Sequence, residues 1–247
     1  MTSYRTSVLI GCCGLLIATV LYWLKISSQI PTPKQSINVE SKIDRQLLKR
    51  IKAIAVKVNA DNSSGSGIIV QKTNNIYTVI TNRHVIDRGD KYQILTDDRL
   101  IHLARLGNVS KQDDLAILEF ASDRLYSVAK INPNSLKIQD SLLLVGFPFN
   151  SERLQITLGQ LWLKTSKPLN QGYQLGYSNE VYKGMSGGAI INTSGEVVGV
   201  NGRSANPIIA DYQYQDLTYP NKQLQQKMTQ LSWGIPIFKA IELITNH

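Results

Sequence analysis

Gly184-Met185-Ser186-Gly187-Gly188-Ala189-Ile190-Ile191 is the stretch on which the fold turns. It sets a serine between glycines and runs straight into apolar sequence. A serine hydroxyl is a weak nucleophile until a neighbouring base takes its proton and nearby donors hold the oxyanion that forms. Glycines on both sides let the backbone turn sharply and aim N–H groups at one point. Beyond the serine the chain reads strand, turn, strand: Ala189 to Asn192, a Thr193-Ser194-Gly195 turn, then Glu196 to Asn201.

A nucleophilic Ser186 needs an imidazole and a carboxylate. The chain has three histidines, His84, His102 and His247. His247 is the last residue, and His102 lies in Leu100-Ile101-His102-Leu103-Ala104, an ordinary strand. His84 ends the run Ile76-Tyr77-Thr78-Val79-Ile80-Thr81-Asn82-Arg83-His84-Val85, a β-branched strand followed by a short polar turn. The edge of a rigid sheet is a good place to fix a side chain. The carboxylate candidate is Asp114, which opens the apolar strand Leu115-Ala116-Ile117-Leu118-Glu119-Phe120. A carboxylate at the head of a buried strand needs a partner, and the far nitrogen of a histidine supplies one. Asp113 is the rival, facing the opposite way on an extended chain.

The order His84, Asp114, Ser186 matters, because Gly-x-Ser-x-Gly is also the nucleophile elbow of α/β-hydrolases. Those enzymes place acid and histidine after the serine and follow it with a helix. Here only the terminal His247 follows Ser186, and a strand follows it. The chain instead resembles the trypsin-like, chymotrypsin-fold serine proteases of bacteria. It is similar to the protease domain of the HtrA family and closer still to stand-alone cyanobacterial trypsin-like proteases. The resemblance runs from about residue 46 to 242. It rests on Gly65-Ser66-Gly67-Ile68-Ile69, Thr81-Asn82-Arg83-His84-Val85, Asp114-Leu115-Ala116-Ile117-Leu118, Val145-Gly146-Phe147-Pro148, Gly184 to Gly188, and Val198-Gly199-Val200-Asn201-Gly202, all in order.

The resemblance implies an all-β fold of two packed six-stranded β-barrels, about 54–122 and about 135–237, with the active site in the cleft between them. Short apolar strands alternating with turn clusters agree with this. Ile237 to Thr245 reads as a short closing helix, with Phe238, Ile241, Leu243 and Ile244 apolar. The protease domain is expected over 46–245, which leaves no room after it for the peptide-binding domain that HtrA proteins carry.

The N-terminus differs. Val8 to Leu24 is 17 residues of almost uninterrupted apolar sequence between Arg5 and Lys25, a span length at the short end for a membrane helix. Residues 1–25 are therefore expected to be a transmembrane signal anchor, with a cleaved signal peptide as the alternative. Both cysteines, Cys12 and Cys13, lie here. The apolar run before Cys12 is too short for a lipoprotein signal, and the catalytic region has no disulfide. Residues 26–45 read as a tether running into a basic amphipathic helix at 41–52, with Ser41 as N-cap, packed on the first barrel.

Residues 1–60 carry nine Lys/Arg and two Asp/Glu, so +7 of the net +9 lies beside the apolar segment. That placement, and the lack of interleaved aromatic and basic residues, points away from nucleic acid. Lys25, Lys34 and Lys42 outnumber Arg5, so charge counting alone argues against export of the C-terminal side. The resemblance implies export, with the catalytic domain outside the cytoplasm.

The resemblance also implies the chemistry: a serine endopeptidase acting on protein or peptide substrates, with catalytic His84, Asp114 and Ser186, and no metal or cofactor. The oxyanion hole would be the N–H groups of Gly184 and Ser186. Met185 stands where the digestive enzymes carry an aspartate, so activation through an N-terminal ion pair is not expected. Substrate binding is expected at Glu180, six residues before Ser186, and at Val200, Asn201 and Gly202. Ser232-Trp233-Gly234 mimics the substrate-pairing tripeptide of the digestive enzymes, but it follows a long polar insertion, Ser204 to Gln230. A binding or scaffold protein on the same fold and a small-substrate esterase are the alternatives.

Overall fold

A computed structural model describes residues 43–245 apart from 62, 88, 135 and 208–210. The expected anchor at 1–25 and most of the tether lie outside the described residues. Among the described residues no helix is long and apolar enough to cross a membrane.

Two closed barrels of six antiparallel strands make up the fold. The first holds β1 (Ala55–Ala60), β2 (Ser63–Thr73), β3 (Ile76–Thr81), β4 (Tyr92–Leu95), β5 (Ile101–Val109) and β6 (Ala116–Ala121), in the order β1-β2-β3-β6-β5-β4. The second holds β7 (Ser141–Gly146), β8 (Gln155–Lys164), β9 (Leu175–Tyr177), β10 (Ala189–Ile191), β11 (Val197–Arg203) and β12 (Ser232–Pro236), in the order β10-β11-β12-β9-β8-β7. Closure removes the unpaired edges that an open sheet would expose. Among the described residues four helices decorate the barrels: α1 (Arg45–Ile54), α2 (Arg83–Ile86), α3 (Lys222–Thr229) and α4 (Ile237–Thr245).

Alternation along the strands builds the cores. Val56, Val58, Val79 and Leu118 fill the first barrel, where Tyr77 stacks on Phe120 at 5.2 Å between ring centroids. Leu142, Leu144, Leu161, Ile190 and Val198 fill the second. A third cluster draws Ile68, Ile80 and Leu115 from the first barrel against Leu143, Val145, Ala189 and Val200 from the second. Apolar residues on the outer faces therefore seal the two barrels together.

Two expectations need correction. The basic helix begins at Arg45, not near Ser41, because Asp44 is the cap: its carboxylate accepts from the N–H groups of Gln46 at 2.9 Å and Leu47 at 3.0 Å. It packs against β2 of the first barrel, as expected, and reaches the second as well: a Cβ at Gly195, in the β10–β11 turn, would stand 2.5 Å from Leu47 Cδ1. The polar insertion after β11 is partly helical, as α3, and Trp233 is not at a substrate edge. It is buried in β12, paired with Arg203 on one side and Gly176 on the other, and its indole N–H donates to the Met228 carbonyl. Within α4 the buried residues are Ile237 and Ala240, while Phe238 is exposed.

Candidate active site

The end of β3 turns at Asn82 into α2, a single turn of helix that carries His84. Asn82 is fully buried and its amide donates to the Asp114 carbonyl at 2.8 Å, so it ties this turn to the segment leading into β6. Asp114 is 1% exposed. Its Oδ1 accepts from the His84 backbone N–H at 2.9 Å and its Oδ2 meets His84 Nδ1 at 2.6 Å. A carboxylate can only accept, so Nδ1 carries the proton and Nε2 is left free to act as a base. Burial acts to raise the Asp114 pKa. The hydrogen bonds and charge of His84 and the hydroxyl of Tyr173 outweigh it and hold the carboxyl below its ordinary value, so the group stays ionised. Asp113 faces away and pairs with Lys239 of α4 at 2.6 Å.

The loop 184–188 is held from within the second barrel and from the first. Tyr177 donates to Asn201 Oδ1 at 2.5 Å, and Asn201 Nδ2 donates to the Met185 carbonyl at 2.7 Å. The Met185 side chain is fully buried in the apolar core of the second barrel, so packing rather than an ion pair fixes this part of the loop. From the first barrel, the Ser66 N–H donates to the Ser186 carbonyl at 2.7 Å. The Ser66 hydroxyl donates to the Gly184 carbonyl at 2.9 Å and accepts from the Phe147 N–H at 2.8 Å.

These contacts orient the peptide that joins Lys183 to Gly184. The Lys183 carbonyl accepts from the Phe149 N–H at 2.6 Å. In a planar trans peptide C=O and N–H point in opposite directions, so anchoring this carbonyl at Phe149 turns the Gly184 N–H away from Phe149. Gly184 has φ +96, and a Cβ there would stand 2.4 Å from the Phe149 nitrogen. Only glycine fits that backbone beside that neighbour. Among the described residues, the N–H groups of Gly184 and Ser186 make no intramolecular hydrogen bond.

Ser186 is half-buried, and its hydroxyl donates to the Gly202 carbonyl at 3.2 Å. The expected substrate-binding residues divide here. Val200 and Asn201 are fully buried and bonded on both sides: Val200 pairs with Ala189 and Ile235, while Asn201 pairs with Gly234 and exchanges hydrogen bonds with Gly187 and Gly188. Neither has a free backbone edge. The edge opens at Gly202, where β10 has ended and the carbonyl accepts from Ser186 Oγ. Beside it lies a cavity of about 400 Å3 lined by Arg203, Ser204, Pro207, Asp211, Tyr212 and Trp233 as well as Gly202. Glu180 does not line this cavity. Its carbonyl accepts from Thr157, and its carboxylate lies by the Tyr182 phenol, whose pKa is raised by burial and then by that charge.

Ser66, Phe149, Tyr173 and Tyr177 are the supporting residues that sequence reasoning missed. Ser66 had a signal, since it sits inside the quoted Gly65-Ser66-Gly67 segment; the others lie in stretches with no motif.

The family described as Trypsin-like peptidase domain matches residues 65–200. Among curated proteins, the chain is 30% identical to the "Serine endoprotease DegS" of Haemophilus influenzae over 156 residues, 60% of this chain and 44% of that protein. It is 32% identical to the "Probable periplasmic serine endoprotease DegP-like" of Pseudomonas fulva over 141 residues, 56% of this chain and 29% of that protein. The match therefore spans less than half the length of these relatives. Among solved structures, the "serine endoprotease from Yersinia pestis" superposes with a TM-score of 0.64 at 24% identity, covering 81% of this chain and 65% of that one, which establishes the shared two-barrel fold.

Proposed function

Because this chain belongs to the family of trypsin-like peptidase domains, we propose that it is a serine endopeptidase that cleaves peptide bonds through an acyl-enzyme formed on Ser186. The observation that carries the reading is the pairing of His84 Nδ1 with a buried, ionised Asp114 at 2.6 Å, on the rim where the Ser186 loop crosses from the other barrel.

His84 Nε2 takes the Ser186 proton as Oγ leaves the Gly202 carbonyl and attacks the carbonyl carbon of the substrate. The oxyanion is held by the N–H groups of Gly184 and Ser186, each worth about 3–4 kcal/mol of barrier. The tetrahedral species collapses, His84 returns its proton to the departing amine, and the acyl group stays on Ser186. Water, deprotonated by His84, then releases the acid and restores the hydroxyl. Asp114 remains a carboxylate throughout, steadying the imidazolium. The free edge at Gly202 would receive the acyl side of the substrate, with the adjacent cavity taking a side chain.

Relatives whose names place them in the periplasm support a catalytic domain outside the cytoplasm. Residues 1–25 would act as its anchor, residues 26–45 as its tether and 46–245 as the protease domain. The substrate is a protein or peptide chain.

The test of the activity is covalent labelling of the full chain by a fluorophosphonate, with the adduct located by mass spectrometry. Labelling at Ser186 is expected, together with its loss in Ser186→Ala and a strong decrease in His84→Ala. Folded protein that stays unlabelled would overturn the assignment of Ser186 as nucleophile.

A further inference from the structure

A second hydroxyl reaches the Asp114 carboxylate, and it comes from the other barrel. Tyr173 precedes β9 in the second barrel and is 1% exposed. Its phenol donates to Asp114 Oδ2 at 2.5 Å, the same oxygen that meets His84 Nδ1. We propose that Tyr173 is a positioning residue of the triad, whose phenol holds the Asp114 carboxylate in place so that the carboxylate can in turn orient His84. The proposal rests on the reading of His84, Asp114 and Ser186 as the reacting groups.

Among the described residues three donors reach the Asp114 carboxylate: the His84 N–H, His84 Nδ1 and the Tyr173 hydroxyl. Two of the three belong to the residue that Asp114 has to orient. His84 is 46% exposed at its side chain and must change its proton bond in each half of the reaction. A carboxylate held only by that residue would have no independent reference. Tyr173 supplies one, because its ring is locked in the core cluster that joins the barrels.

The surroundings are shaped to admit the phenol. Gly202 has no side chain, and a Cβ there would stand 2.4 Å from both Tyr173 Cε1 and the phenol oxygen. Any larger residue at 202 would occupy the place that Tyr173 takes. The carbonyl of Gly202 is the acceptor of the Ser186 hydroxyl, so one glycine accommodates the phenol and receives the nucleophile. Gly172, before the tyrosine, has φ +87 and packs against Asp113, while the Asp114 N–H donates to the Gln171 carbonyl at 2.8 Å. The Gln171-Gly172-Tyr173 segment thus docks on Asp113 and Asp114 by backbone and side chain together. Burial, and then the charge of Asp114, push the phenol well above its ordinary pKa, so it remains a donor across the working range. Arg203 stacks over the other face of the contact, 4.4 Å from the ring centroid.

The experiment compares the full wild-type chain with Tyr173→Phe, which keeps the ring and removes the hydroxyl. Peptide hydrolysis is measured per active site titrated with a fluorophosphonate, as kcat and KM across pH. The expected result is a fall in kcat of about tenfold or more, the effect of removing a hydrogen bond to a charged group. KM stays unchanged, because the phenol is not placed against substrate. The acid limb of kcat/KM moves to higher pH, because Asp114 without the phenol presents more negative charge to the imidazolium. A purely structural role would lower the fraction of titratable sites and leave kcat per site and the acid limb in place; that result would overturn the proposal.

Two additions keep the test decisive. Gly202→Ala pushes a methyl group against the phenol and is expected to reproduce the shifted acid limb even if Tyr173→Phe folds poorly. The proton between His84 Nδ1 and Asp114 can be followed by NMR without any turnover, and its resonance is expected to move in Tyr173→Phe. An inert wild type whose Nδ1 resonance still responds to Tyr173→Phe would sink the endopeptidase reading and leave the positioning role standing. An active wild type with an unresponsive resonance and unchanged kcat would sink the positioning role alone.

Discussion

Ser66 carries a prediction of the same kind as the triad itself. Its buried hydroxyl is shared between the Gly184 carbonyl and the Phe147 N–H, so it pins both sides of the loop that aims the Gly184 N–H. Ser66→Ala leaves a buried backbone donor without its partner, which costs about 1–3 kcal/mol. The expected outcome is a lower denaturant midpoint by that amount and a reduced kcat at unchanged KM. A variant with native stability and native kcat would mean that the hydroxyl is a spectator. Asp114 was legible before its neighbours were because an acid at the head of an apolar strand must be paired, a local argument. Ser66 and Tyr173 were not, because nothing local distinguishes a serine in a glycine-rich strand, or a tyrosine in a loop, from its ordinary counterparts. Their importance comes from what the opposite barrel brings to within 3 Å.

At the scale of elements, strand existence was readable and boundaries and caps were less so. Short apolar runs between turn clusters marked β3, β6, β10 and β11, which are buried along nearly their whole length. α1 was placed too early, because Ser41 and Asp44 are both good caps and the sequence offers no way to choose between them. The structure selects Asp44, the start that lets Ile51 and Ile54 fall into the core. Asp44→Ala is therefore expected to cost about 1 kcal/mol and to lower the thermal midpoint by roughly 2–4 °C, read by calorimetry. Ser41→Ala is expected to do neither, and equal effects from the two substitutions would contradict the assigned cap. Trp233 makes the same point in reverse. Its tripeptide resembles the substrate-pairing one of the digestive enzymes in composition, but β12 lies between β11 and β9, so the indole is a core residue.

At the scale of the whole molecule, the proposed export of the catalytic domain makes a prediction that no contact in the fold decides. With residues 1–25 intact, the protein should sediment with membranes, and its protease domain should be digested by a protease added to intact spheroplasts. Deleting residues 1–25 should release it into the soluble fraction. Protection from the added protease would place the domain on the cytoplasmic side, in line with the plain count of Lys25, Lys34 and Lys42 against Arg5.

The sequence by itself determined the class of architecture and named the candidate reacting groups. The order His84, Asp114, Ser186 and the strand after Ser186 excluded the α/β-hydrolase arrangement, and each rests on neighbours within a few residues. Only the tertiary structure decided which atoms support those groups. The edge of β11 opens at Gly202 rather than Val200, because β10 pairs it at Val200 and the backbone of Gly187 and Gly188 bonds Asn201. The third donor to Asp114 is a tyrosine 59 residues away, brought there by the seam between two closed barrels. Local order follows from propensity and pattern, which act over a turn or a strand. The electrostatic environment of a buried carboxylate is set by whichever groups the packing of distant segments leaves beside it, and no window of sequence contains them.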